Sequence, residues 1–126
     1  MAAKVVDASA LAAVLFGEPA AEGVAARLSG HSLYAVPVLP FEIANTCLKK
    51  MRRSPLPREA LLAMFARYDD AAIETLDIDP TEMLMTAEAH GLSSYDASYL
   101  CLARRLRAEL VTLDKKLEAA ANAVLS

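Results

Sequence analysis

Lys4-Val5-Val6-Asp7-Ala8-Ser9-Ala10-Leu11 places an acid at the junction of a short strand and a helix. Val5 and Val6 are β-branched, which predicts a buried strand over residues 4–7. Ser9 is the expected N-cap of a helix over 9–16. Gly17-Glu18-Pro19 then breaks it. Leu110-Val111-Thr112-Leu113-Asp114 repeats the logic near the other end: a strand over 109–113 that stops on an acid, followed by a helix over 115–121. Residues 123–125 are a candidate last edge strand.

Between these ends, further strands are expected over 33–36 and 72–76. Helices are expected over 20–28, 40–53, 58–68, 80–90 and 93–106. Pro40 suits a first helical turn. Gly91 suits a helix stop. Short apolar strands alternating with helices imply an α/β fold with a parallel sheet covered on both faces.

The length of 126 residues fits one domain over 1–126, and a hydrophobic content of 56% allows a sizeable core. No apolar run is long enough for a membrane span. Lys4 is followed at once by Asp7 inside what would be the apolar part of a leader, which argues against export and for a cytoplasmic location. Cys47 and Cys101 read as two buried, reduced thiols. His31 and His90 are isolated, so no zinc ligand set is present. With a net charge of −3, the surface as a whole does not attract nucleic acid. Basic residues do cluster at Lys49, Lys50, Arg52 and Arg53, and again at Arg104, Arg105 and Arg107. Either cluster alone is explained as a solvated helix end.

The acids are more informative. Asp7 and Asp114 end strands, while Glu42 and Asp96 fall in the first turns of helices. In an open α/β fold these positions gather along one edge of the sheet, where ligands bind. Each acid has a plain structural role open to it, as a cap, a turn residue or a complement to a helix dipole. Four together change the balance. Two carboxylates about 5 Å apart repel by roughly 3 kcal/mol at an effective dielectric near 20. Such a cluster needs a cation or shifted pKa values, and all-oxygen donors favour Mg²⁺ or Mn²⁺.

Neighbouring residues extend the site. Glu42, Asn45 and Lys49 share one helical face, leading from the acids toward Arg52 and Arg53. Phe41, Ala44, Leu48 and Met51 share another, expected to be the buried one. Thr112 lies on the same side of its strand as Asp114 and is expected to orient it, as Ser9 orients Asp7. Tyr95 and Tyr99 flank the site. Either can stack on a base, with core packing favoured for Tyr99.

Val5-Val6-Asp7-Ala8-Ser9-Ala10-Leu11, Pro40-Phe41-Glu42-Ile43-Ala44-Asn45, Tyr95-Asp96-Ala97-Ser98-Tyr99-Leu100-Cys101-Leu102-Ala103 and Leu110-Val111-Thr112-Leu113-Asp114-Lys115-Lys116-Leu117 together resemble the PIN domain, with the VapC-type toxins most similar. The four stretches span nearly the whole chain in the right order. The resemblance implies a three-layer α/β/α sandwich and Mg²⁺-dependent endonucleolytic cleavage of RNA. Asp7, Glu42, Asp96 and Asp114 match the acidic quartet by position, and Asn45 and Thr112 match positions near it. A homodimer and an inhibitory VapB-type antitoxin, presenting a basic side chain to the acids, are implied as partners. The short tail after Asp114 departs from the family and leaves the last strand open.

Asp7 and Asp96 are the expected direct metal ligands, Glu42 and Asp114 hold a second ion or a water, and Lys49, Arg52 and Arg53 hold flanking phosphates. A phosphoacceptor receiver would want an adjacent acidic pair after the first strand, and only Asp7 stands there. An aspartate-nucleophile phosphatase would want an Asp where Ser9 stands. The remaining alternative is a non-catalytic PIN-like module that binds RNA or protein.

Overall fold

The computed structural model describes residues 2–125. Strand β1 (Ala3–Val6) leads through helices α1 (Ala8–Leu15) and α2 (Ala21–Leu28) to β2 (Ser32–Ala35). Helices α3 (Leu39–Arg53) and α4 (Arg58–Ala66) and a 3₁₀ turn (Arg67–Ala71) lead to β3 (Glu74–Thr75). Helices α5 (Pro80–His90) and α6 (Ser94–Leu106) precede β4 (Glu109–Val111), and α7 (Lys115–Leu125) follows it.

All strand pairs are parallel, in the order β3-β2-β1-β4. Parallel neighbours need crossover helices, and right-handed crossovers on either side of β1 lie on opposite faces of the sheet. The helices accordingly fall into two packed groups, α1–α4 and α5–α7. The result is the expected three-layer α/β/α sandwich. Because the chain moves one way from β1 to β2 and β3 but returns to the other side for β4, the order reverses between β1 and β4. A crevice opens at the carboxyl ends of the strands at such a switch point.

Hydrophobic sequence explains the core. Val5 and Val6 of the central strand β1 are fully buried, as is Val111 of β4. Residues Ala97 through Ala103 of α6 are buried without interruption, so this helix lies between its neighbours and the sheet rather than on the surface. Leu100→Ala there would cost about 2–5 kcal/mol through lost burial and the cavity left behind. Gly91 ends α5 in the left-handed conformation (φ 63°) that glycine adopts without a Cβ penalty.

Four details differ from expectation. The N-cap of α1 is Asp7, whose side chain accepts from the Ala10 amide, and not Ser9. On α3 the buried stripe is Leu39, Ile43 and Cys47, while Phe41 and Leu48 face solvent. Both stripes are apolar at helical spacing, and the docking of α3 selects between them. The helical stretch expected over 58–68 ends at Ala66 and tightens into the 3₁₀ turn. Residues 123–125 form no strand: no breaker follows Lys115, and Leu117, Ala121 and Val124 continue one apolar helical stripe against the core.

Candidate metal centre and nucleic-acid cleft

Parallel pairing of Val6 with Val111 brings the carboxyl ends of β1 and β4 side by side. Asp7 and Thr112, the next residues along, therefore meet. Thr112 Oγ1 donates to Asp7 Oδ2 at 2.5 Å. Ser9 Oγ donates to Asp7 Oδ1 at 2.7 Å, and the Ala10 amide donates to the same oxygen at 3.0 Å. Thr112 Oγ1 also accepts from the Asp114 amide at 3.0 Å, and Ser9 Oγ accepts from the Leu113 amide at 2.9 Å. Asp7 is 4% exposed, and these donors fix both its oxygens. Ser9 serves Asp7 as expected. Thr112 does not orient the Asp114 carboxylate: its hydroxyl turns to Asp7, because the pairing register places that acid nearer.

The remaining acids arrive on helix starts. Asp114 caps α7 by accepting from the Leu117 amide at 2.9 Å. Asp96 lies in the first turn of α6, its amide donating to Ser93 Oγ at 3.0 Å. Glu42 lies in the first turn of α3, and Tyr99 Oη donates to its Oε1 at 2.6 Å. Tyr99 is completely buried and spaced three residues from Asp96 on α6. It thus packs in the core, as sequence favours, yet its hydroxyl serves the site. Helical i, i+3 spacing to Asp96 was the available signal.

Electrostatics show that the acids share one space. Burial pushes the Asp7 carboxyl up, and the charge of Asp114 adds to this against its hydrogen bonds. Burial also raises Glu42, with Asp96 and Asp7 adding to the shift. Asp96 is raised by burial and then by Asp114 and Asp7, with the Ser93 hydroxyl and then Lys116 partly offsetting them. Asp7 and Asp96 therefore each feel all three other acids. Burial and the adjacent Glu42 keep the Tyr99 hydroxyl protonated, and so a donor.

The donor set suits a hard cation: four carboxylates that repel one another, with both cysteines buried elsewhere. Among the described residues no three metal-binding side chains close tightly enough to form a ready cage. Mg²⁺ does not require one, since it keeps several waters and takes one or two carboxylates directly. Carboxylates spaced this openly fit that ion better than zinc, which wants four converging ligands.

A groove of about 500 Å³ leads away from the acids, lined by Ser9, Glu18, Glu42, Asn45, Thr46 and Lys49 among others. The polar face expected on α3 thus forms its wall. Glu18 was not anticipated. Lys50 holds it at 3.1 Å and also lies over the Phe16 ring, tying the α1–α2 connection to α3. Arg52 and Arg53 sit a turn beyond Lys49, outside the groove lining. A larger concavity, about 630 Å³, is lined by Arg27, Arg104, Arg107 and Glu109. It lies at the amino end of β4, away from every acid of the quartet, and size alone gives it no chemistry.

Residues 4–123 match the PIN domain family. The chain is 31% identical over 118 residues to Ribonuclease VapC3 from Pyrobaculum aerophilum, covering 90% of each protein. It also superposes on the crystal structure of PAE2754 from Pyrobaculum aerophilum with a TM-score of 0.76 and 25% identity, covering 98% of this chain and 87% of that one.

Proposed function

This chain belongs to the PIN-domain family, and from that premise we propose that it is a divalent-metal-dependent endoribonuclease, the toxin of a VapBC-type pair. The observation that carries the proposal is the meeting of Asp7, Glu42, Asp96 and Asp114 at the switch point of the sheet. The name of the similar Ribonuclease VapC3 supports the choice of RNA as substrate.

Held by these carboxylates, Mg²⁺ or Mn²⁺ would supply a water of lowered pKa and polarise the scissile phosphate. Asp7 and Asp96, which interact with all the other acids, would be its direct ligands. Asp7 is held for this by Ser9, Ala10 and Thr112. Glu42 keeps Oε1 on Tyr99, leaving Oε2 to accept a proton from the attacking water. Asp114 has Oδ1 on the Leu117 amide and would use Oδ2 toward a second ion or a water. Water attacks phosphorus and gives its proton to Glu42, one phosphodiester P–O bond breaks, and the departing oxygen takes a proton from solvent. Asn45 and Lys49 along the groove, and Arg52 and Arg53 beyond it, guide the flanking phosphates.

The partner is a VapB-type antitoxin whose basic side chain enters the cleft, the charge complement of four mutually repelling acids. Exposed Leu84 and Met85 on α5 offer apolar surface to a second copy in a homodimer. No helix among the described residues is long and apolar enough to cross a membrane. The test is incubation of antitoxin-free protein with mixed transfer and ribosomal RNA. Discrete fragments in Mg²⁺ that vanish in EDTA support the proposal. A folded, ion-binding protein that cuts nothing in the pool would instead favour a non-catalytic binding module.

A further inference from the structure

The chain has three Phe, four Tyr and no Trp. Of these aromatic residues, only Phe41 and Tyr95 are exposed, at 72% and 61%. Each stands immediately before an acid of the cleft, Phe41 before Glu42 and Tyr95 before Asp96. Beside them lies a small pocket of about 240 Å³, lined by Val36, Val38, Ile78, Met83, Tyr95 and Ser98 among others. Val36 and Val38 follow β2, and Ile78 follows β3, so this pocket opens at the same carboxyl edge of the sheet as the acids. Tyr95 is the aromatic residue that lines the pocket, while Phe41 lies one helical turn from Val38 outside the lining.

We infer that this pocket holds an unpaired nucleobase of single-stranded RNA, stacked on Tyr95, while the neighbouring phosphate lies at the carboxylates. The inference rests on the nuclease reading and adds a base-binding subsite to it. Unpaired bases are recognised by stacking on aromatic rings, and each base offers a π-face whatever its sequence. The pocket has the required mix, a mostly apolar lining that also includes Asp77 and Ser98. The Asp77 carbonyl accepts from Arg105 Nη1 at 3.0 Å, and Ser98 Oγ donates to the Tyr95 carbonyl, so both walls are tied down. A second copy of the chain is the competing occupant. Protein interfaces exclude charge from their centres, and here both rings adjoin acids that such a copy would have to bury. A nucleotide bound through metal at those acids meets no such penalty.

The experiment measures binding of a short, fluorescent, random-sequence RNA strand with phosphorothioate linkages, in Mg²⁺. Tyr95→Leu should lower its affinity roughly tenfold, the loss of one base–aromatic stack. Tyr95→Phe should keep it. An abasic strand should bind wild-type protein no better than Tyr95→Leu. Sedimentation of each variant is measured alongside, and so is cleavage of an RNA pool by wild-type protein. Equal affinity of Tyr95→Leu and wild type overturns the subsite, as does wild-type protein that fails to bind the strand. Dissociation of a dimer by Tyr95→Leu with unchanged RNA affinity assigns the face to a second copy and also overturns it. Continued cleavage by wild-type protein in any of these cases shows that the subsite alone has failed.

Discussion

Thr112 donates its hydroxyl hydrogen to Asp7 Oδ2 across 105 residues of sequence. This bond joins the ends of the two strands on either side of the switch point and holds the most buried acid of the site. Its partners need one another: an unmade hydrogen bond to a buried carboxylate is costly, and Thr112 also receives the Asp114 amide.

Thr112→Val keeps the volume and removes the hydroxyl. It should destabilise the protein by about 1–3 kcal/mol, since it strands Asp7 Oδ2 and the Asp114 amide. Thr112→Ser should recover most of the loss. Denaturant unfolding of the three proteins checks the order, and a Val variant as stable as wild type would show that the bond is not needed.

Stability should fall as pH rises through the range where the site acids ionise. Asp7, Glu42 and Asp96 all have folded pKa values raised above their ordinary values of 3.8, 4.5 and 3.8. The folded state therefore holds protons that the unfolded state has released. Their stabilising effect is full below the ordinary values and is lost as pH rises through the raised ones. Glu109, lowered by Arg27 and Lys4, acts in the opposite sense, with stability lost as pH falls. Glu109 itself is half exposed, so its pairs with Arg27 and Lys4 are worth little beside three site acids. Thermal melts in EDTA should fall as pH rises from below the ordinary carboxylate values through the raised ones. Mg²⁺ should restore the midpoint at neutral pH and have little effect where the acids are protonated.

Glu42→Ala and Glu42→Gln should both abolish cleavage but differ in stability. The Ala variant leaves the buried Tyr99 hydroxyl without its acceptor, costing about 1–3 kcal/mol. The Gln variant keeps an acceptor oxygen and should melt close to wild type. Equal melting temperatures would show that Tyr99 has another way to satisfy its hydroxyl.

Lys49→Gln should weaken RNA binding and reduce the salt slope by about one phosphate contact, with folding and Mn²⁺ binding unchanged. An unchanged slope would place the RNA backbone away from this wall of the cleft.

Strand ends and helix starts made the convergence of the acids legible, because topology alone sends residues after β1 and β4 to one edge. Asp7 and Asp114 sit at strand ends in sequence, and Glu42 and Asp96 in first turns. What sequence could not supply depended on docking. The α3 helix carries two apolar stripes, and only its seat on the core shows that Ile43 is inside and Phe41 outside. The Tyr99 hydroxyl finds Glu42 because α6 and α3 meet at the sheet edge, a contact 57 residues apart that no local pattern encodes. Thr112 alternates toward the side of Asp114, but the β1–β4 register puts Asp7 nearer. The last helix hid its length behind Ala123-Val124-Leu125, a run too short for period to decide.

The claim that these carboxylates hold a divalent ion is tested most directly by counting bound Mn²⁺ from the free-ion spin-resonance signal, in wild type and Asp96→Asn. Asp96 is the best position to change, because its carboxylate is helped by the Ser93 hydroxyl, which Asn can also bond, and by the charge of Lys116, whereas the Asp7 carboxylate caps α1 and also takes Ser9 and Thr112. Wild-type protein should bind Mn²⁺, Mg²⁺ should displace it, and the Asn variant should melt like wild type while losing most of the affinity. Equal Mn²⁺ binding by a folded Asp96→Asn protein, or none by wild type, would contradict the account.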